Sequence, residues 1–528
     1  MKRLTSIVLA FMMTICYITP VFDVTSAGID LDSKISTDAK VYSKATLEDQ
    51  FADDGVLVVL SNKASLQFQE FKSSDFSEIG CLAVTDYSSA SGKKVQAQVE
   101  ALSEAKASPN ELRSVDTTKI HTFNQVLYLE LANPGKKNVL DAIDKLMLRE
   151  DVIYAGPNYI YSLEPVSTTP VLPQNSASYN RIHLFDAMEI SQGSSSVLVG
   201  VIDTGIDANH PDLAGRVDDE LSRYFMDGTD YPGGVTDDGG HGTFVAGIIA
   251  GQWNDTFSMG GVAPNITLVS LDVMSGGITR TTNVIKAIQY AEAHDIQILN
   301  FSAGISVDDS NDESLEETIH NFSGLFVCAA GNEHKNLVEE PDYPAAFNTS
   351  SDNMIVVGAS NGSDGIWAGS NYGSVVDIFA PGEDILSTNS SQCILFNGPY
   401  AVGSGTSFAT PFVTGVAALL LSVCPYMSPQ QIIEALISHA DIISIPSSYG
   451  GGYAPRLNAY QALLNTPHLW VYTFKDLTYH TKTCACGTTM SEYHTWVSMG
   501  SKFRCQHCGY IAINPPIILG HLEAEKTN

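Results

Sequence analysis

The sequence predicts an α/β fold, a mostly parallel sheet flanked by helices, preceded by a small α+β domain with an antiparallel sheet. Three observations carry this. Residues 196–202 are a run of Val, Leu, Ile and Gly ending on Asp203, as a buried central parallel strand does. Residues 410–421 are apolar, rich in Ala, Leu and Val and free of charge, which marks a core helix. Upstream, residues 55–60, 126–131 and 152–161 read as strands, the last as a strand pair or a bent strand. Residues 138–148 read as a helix with Val139, Ile143, Leu146 and Met147 on one face.

With 528 residues the chain is long enough for more than one domain. Its net charge of -31 argues against nucleic acid and anionic membrane as partners. Residues 1–27 have a basic start (Lys2, Arg3), a short apolar core and Thr25-Ser26-Ala27 at the exit, the pattern of a secretory signal. No later apolar run is long enough to span a bilayer. We therefore expect a secreted monomer, with association to a cell surface as a variant of that location.

Residues 28–164 then form a first unit, with the α+β domain near 53–162 and a polar insertion at 87–118. Residues 165–179 are rich in Pro, Ser and Thr and read as an exposed linker, the kind of segment where proteolysis concentrates. The larger domain follows at 180–465, and a small Cys/His-rich module at 466–528.

Asp203 stands where α/β sheets place their chemistry, at the C-terminal end of a parallel strand. Asp203-Thr204-Gly205 also fits an aspartic protease, but that needs two carboxylates sharing a proton, and no second such triplet occurs. His241 follows two glycines and opens an apolar run, 244–250. Ser407, in Gly405-Thr406-Ser407-Phe408-Ala409-Thr410-Pro411, sits near a helix start, where unpaired N–H groups and the positive dipole end favour an oxyanion. We place that start at Thr410, so that Pro411 falls in the first turn, where its missing N–H is harmless.

The order Asp203, His241, Ser407 is one of the known orders of a hydrolytic triad. Val201-Ile202-Asp203-Thr204-Gly205, His241-Gly242-Thr243-Phe244-Val245-Ala246-Gly247 and the segment around Ser407 together resemble the subtilisin-like serine proteases, over about residues 180–464. The resemblance implies a subtilisin-like sheet and an endopeptidase acting through an acyl-enzyme, with no cofactor needed for the chemistry. It also implies Asn332, in Ala329-Ala330-Gly331-Asn332, as oxyanion donor. Ser302, Ala303 and Gly304 would pair with an extended protein or peptide substrate by strand addition, and Ser275 and Gly276 would flank its other side. Glu333 stands beside Asn332, where a rim carboxylate could favour a basic residue. Asp212 matches a calcium position, with Asn254 and Asp255 in its partner loop as further ligands; that loop is one residue longer than the common form. The first domain resembles a propeptide that assists folding and then blocks the site, which makes the chain a zymogen and its own propeptide a partner.

In the tail, Cys484-Ala485-Cys486-Gly487 and Cys505-Gln506-His507-Cys508-Gly509 read as two halves of a zinc site, with Cys484, Cys486, Cys505 and Cys508 as ligands. Two cross-paired disulfides are the alternative in an exported protein. Cys81, Cys328, Cys393 and Cys424 are scattered and read as small apolar residues, or as at most one bridge. Two other functional readings stand beside the enzyme. One is a catalytically silent relative serving as a binding or scaffold protein, which loss of a triad residue would mark. In the other, the tail targets the protein to a surface.

Overall fold

The computed structural model describes residues 40–61, 70–87, 125–163, 176–253, 259–304, 312–350, 352–393 and 398–466, with short strands between 470 and 523. The secretory signal, most of the 87–118 insertion, most of the linker, Asn254 and Asp255 lie outside the described residues, as do Cys486, Cys508 and the side chains of Cys484 and Cys505.

The N-terminal sheet runs β1 (Val41–Tyr42), β5 (Val152–Ser162), β2 (Phe51–Leu60), β4 (Gln125–Leu131), β3 (Cys81–Asp86). All its pairs are antiparallel except β1 with β5. Helix α1 (Lys136–Leu146) covers one face through Val139, Ala142, Ile143 and Leu146. Residues 152–161, read as a pair or a bent strand, are one strand with two register shifts against β2. The short β1 and β3 and a 3-10 turn at Ser73–Ile79 escape the periodicity because their residues alternate weakly.

Helices α2 (Ser176–Arg181) and α3 (Leu184–Ile190) follow, so residues 176–179, given to the linker by composition, are helical. The large sheet has ten strands, in the order β17, β18, β14, β13, β12, β11, β6, β9, β7, β8. In chain order they are β6 (Leu198–Asp203), β7 (Arg223–Met226), β8 (Thr229–Pro232), β9 (Thr267–Asp272), β11 (Ile298–Phe301), β12 (Leu325–Ala329), β13 (Met354–Ser360), β14 (Ile378–Pro381), β17 (Asp441–Ile445) and β18 (Gly452–Arg456). Every pair is parallel except the two edge pairs, β7 with β8 and β17 with β18. The short β10 (Ile278–Arg280) joins the N-terminal sheet instead, on β5, and β15 (Ile385–Thr388) and β16 (Tyr400–Gly403) form a separate antiparallel pair.

The parallel strands are buried on both faces. Val199 and Val201 of β6 pack with α4 (His241–Ala250) and α7 (Thr406–Val423), while Ile202 packs with α5 (Thr281–Ala293) and α6 (Glu313–His320) on the other side. Among the described residues α7 is the helix long and apolar enough to cross a bilayer, and it is a core helix. It begins at Thr406, four residues before the predicted start, so Pro411 is inside it rather than in its first turn. Ser428 caps α8 (Pro429–Ser438) in a capping box with Gln431. Cys81, Cys328, Cys393 and Cys424 are all free thiols, so the bridge allowed among them is not formed.

Candidate active site

Strand β6 delivers Asp203, fully buried, at its last position. His241 is the first residue of α4, and Gly240 before it holds φ 80°, a left-handed turn that a side chain resists. Gly242 is needed for a different reason: a Cβ there would lie 2.0 Å from the Gly205 carbonyl. This close approach brings His241 Nδ1 to 2.9 Å from both Asp203 oxygens. With Asp203 as acceptor, the Nδ1 position carries the proton and Nε2 is left as the basic nitrogen.

Asp237 pins the loop ahead of His241. Its carboxylate accepts from Thr204 Oγ1, the Gly240 N–H, and the N–H and hydroxyl of Thr243, at 2.6–2.8 Å. Burial pushes the Asp237 carboxyl up to about 6 against these four donors. Asp272, opposite Asp203 on β9, is raised by burial to about 8, with Asp237, Asp238 and Asp203 adding to the push. Burial pulls the His241 imidazole down, but the Asp203 carboxylate and then Asp237 outweigh it, so its pKa lies above the ordinary histidine value.

Ser407 is the second residue of α7. Its N–H belongs to the unpaired first turn and has no hydrogen-bond partner among the described residues. Its hydroxyl donates to the Ser302 carbonyl at 3.1 Å. His241 Nε2 is buried and also without a partner among the described residues. The Phe408 ring lies 5.6 Å from the His241 ring and 4.2 Å from Phe244, closing the apolar side of the imidazole.

Asn332 follows β12. Its Oδ1 accepts from the N–H and the hydroxyl of Thr406, both at 2.9 Å. That fixes the amide with Nδ2 outward as a donor. The site thus gathers Asp203, His241, Ser407 and Asn332 from the ends of β6 and β12 and the starts of α4 and α7.

Ser302, Ala303 and Gly304 follow β11 and, with Glu333 and Ser407, line one pocket. The groove beside it is filled by the chain's own β5. Ser162 donates its N–H to the Gly304 carbonyl at 3.3 Å, and Leu163 donates to Gly277 at 3.0 Å. Residues 160–162 pair antiparallel with β10. Ser275 bridges to Ile278 at the mouth of that turn, and Gly276 beside it adopts φ 61°.

Among the described residues no group of three His, Cys, Asp or Glu is arranged to hold a metal. Asp212 is buried and its Oδ2 accepts the Tyr400 hydroxyl at 2.7 Å. Asn254 and Asp255, the other expected calcium ligands, lie outside the described residues, and no step below runs through a metal.

Sequence reasoning missed Asp237, Thr406, Asp342 and Asn371. Thr406 and Asp237 lie inside or beside motifs already read and could have been found there. Asp342 and Asn371 are lone polar residues, and only the fold brings them to the pocket.

Residues 194–488 match the Subtilase family. The chain is similar to a thermophilic serine proteinase of Bacillus sp. (strain AK1), 32% identical over 69% of this chain and 85% of that one. It is similar to thermitase of Thermoactinomyces vulgaris, 34% identical over 54% of this chain and 94% of that one. Subtilisin DY of Bacillus licheniformis is 34% identical over 49% of this chain and 88% of its own.

Proposed function

The chain belongs to the subtilase family and is a serine endopeptidase, and from that premise we propose that it is exported as a zymogen and works through Asp203, His241 and Ser407. The observation that carries this is the pair of 2.9 Å contacts from Asp203 to His241 Nδ1, which leave Nε2 basic beside the start of α7.

Ser407 Oγ attacks the peptide carbonyl while His241 Nε2 takes its proton and then gives it to the leaving amine. Asp203 holds the tautomer and stabilises the imidazolium. The developing oxyanion is met by Asn332 Nδ2 and the Ser407 N–H, donors already aimed before the reaction begins. Water then hydrolyses the acyl-enzyme. In the resting site Ser407 Oγ is turned to the Ser302 carbonyl. An extended substrate that donates its own N–H to that carbonyl releases the hydroxyl toward His241.

The zymogen reading rests on β5, which lies along Gly304 and β10 as a substrate strand would. In this reading residues 1–27 are the export signal, 28–164 the propeptide, 165–179 hold the maturation cleavage, 180–465 are catalytic, and 466–528 form a stabilising or docking module.

The test is to label the exported protein with a fluorophosphonate, wild type beside Ser407→Ala, and read the band sizes. Label on the wild type alone, on a band shortened by the first domain, supports both enzyme and self-maturation. Label at full length keeps the chemistry and removes self-maturation. A folded wild type that never labels, even after a second protease removes the first domain, sinks the proposed triad and leaves the binding or scaffold reading.

A further inference from the structure

The pocket beside Ser407 has small walls, among them Ala303, Gly304, Ala330 and Gly331, and two carboxylates, Glu333 and Asp342. Asn371, fully buried, ties the two together. Its Nδ2 donates to Asp342 Oδ2 at 2.7 Å, to Glu333 Oε2 at 2.8 Å and to the Ala330 carbonyl at 2.9 Å. Its Oδ1 accepts from the N–H groups of Glu333 and Lys335, at 3.1 and 2.9 Å, so the amide cannot turn round. A Cβ placed on Gly331 would lie 2.4 Å from Asn371 Nδ2, 2.9 Å from Glu333 Oε2 and 3.2 Å from Asp342 Oδ2. Both oxygens therefore meet at the Asn371 amide, behind a stretch of pocket wall that only a glycine fits.

The cation set against them is Lys335, with Nζ 3.2 Å from Asp342 Oδ1 and a side chain 24% exposed, against 8% for Asp342. Among the described residues the pocket thus counts two carboxylates against one ammonium, and the deeper carboxylate is cut off from water. An apolar side chain entering here would desolvate Glu333 and Asp342 and return nothing to them. An acidic one would add a third negative charge. A long cationic one would bring charge and donors to the converging oxygens.

We infer that this protease selects lysine or arginine at the residue whose carbonyl Ser407 attacks. Asp342 and Glu333 determine that choice, and Lys335 competes with the substrate for Asp342. The inference rests on the proposed role of Ser407.

The experiment measures kcat/KM of the mature enzyme on peptides that differ only at this residue: Arg, Lys, Leu, Phe or Glu. The readout is the ratio of basic to apolar substrates within each variant, which cancels losses common to all substrates. We expect Arg and Lys to lead Leu and Phe by about tenfold or more in the wild type. Asp342→Asn and Glu333→Gln each lower that ratio by about tenfold, and Lys335→Met raises it. Should Asp342→Asn fail to fold, Glu333→Gln and Lys335→Met still decide the matter. A wild type that prefers Leu, Phe or Glu overturns the inference, and so does a ratio that none of the variants moves. Fluorophosphonate labelling of the same preparations separates the two levels. Labelled enzyme without a basic preference removes this inference alone, whereas enzyme that never labels removes the role of Ser407 and this inference with it.

Discussion

The Ser302 hydroxyl donates to the Ser407 carbonyl at 3.1 Å, and the Ser407 hydroxyl donates to the Ser302 carbonyl at the same distance. The first bond answers a gap left by Pro411. In an α-helix the Ser407 carbonyl would accept from residue 411, and proline has no N–H to offer. Ser302 Oγ fills the gap, and is itself held by Asn300 Nδ2 at 2.9 Å, with Asn300 Oδ1 accepting from Thr414 at 2.8 Å.

Ser302→Ala strips a partner from two buried groups, the Ser407 carbonyl and the Asn300 amide. It should cost about 1–3 kcal/mol of stability, read as a lowered urea midpoint in a Ser407→Ala background that cannot digest itself. Pro411→Ala restores an N–H at the right place. The Ser302→Ala cost should therefore shrink by about 1 kcal/mol when Pro411→Ala is present. Equal costs in both backgrounds would break the link between these residues.

The Asn332 amide is aimed by Thr406, and the two can be tested in sequence. Asn332→Ala should lower kcat by roughly 10²–10³ with little change in KM, the loss known for the matching donor in a subtilisin. Thr406→Val keeps the Thr406 N–H bond and removes the hydroxyl bond, so the amide is held by one anchor. We expect a smaller kcat loss, about tenfold, again with KM steady. A Thr406→Val loss that falls on KM would mean the residue shapes the substrate groove instead.

Asp203, His241 and Ser407 were legible because each lies in a contiguous motif at a strand end or a helix start, where position alone implies unpaired groups. The start of α7 was misread for a local reason. Proline is harmless in a first turn, so Pro411 looked like the start, and nothing nearby in sequence reveals that Ser302, 105 residues away, satisfies the exposed carbonyl. Asp342 and Asn371 were illegible for the same reason: a lone Asp and a lone Asn carry no periodicity, and their meaning comes from the Gly331 turn between them. The edge pair of β7 and β8 was missed because each strand has only four residues and neither shows a clear alternation of buried and exposed positions.

His241 sets the acid limb of the pH profile. The base must be neutral to accept a proton from Ser407, so kcat/KM should rise with pH through the His241 pKa. The Asp203 charge holds that pKa above the ordinary value, so the limb of the wild type should fall above about 6.5. Asp203→Asn removes the charge and leaves the burial penalty on the imidazolium. Its limb should move to lower pH while the plateau drops by about 10⁴-fold. A limb that stays put in Asp203→Asn would show that another group titrates there.

Asn158 joins the first domain to helix α5. It is buried on β5, its Oδ1 accepting from the Thr282 N–H and its Nδ2 donating to the Thr282 hydroxyl, both at 3.1 Å. Thr282 is in the first turn of α5, whose N-cap residue Arg280 makes no side-chain cap bond. Asn158 therefore satisfies from the first domain a donor that the helix leaves open. Asn158→Ala should weaken the hold of the first domain by about 1–2 kcal/mol, the usual worth of a lost cap. In a preparation cut once in the linker, that is a five- to thirty-fold larger free fraction, seen as a shorter lag before peptide hydrolysis reaches its full rate. Asn158→Asp keeps the acceptor for Thr282 and should recover part of the lag. An unchanged lag in Asn158→Ala would mean that the first domain is held by the strand pairing of β5 with β10 and not by this cap.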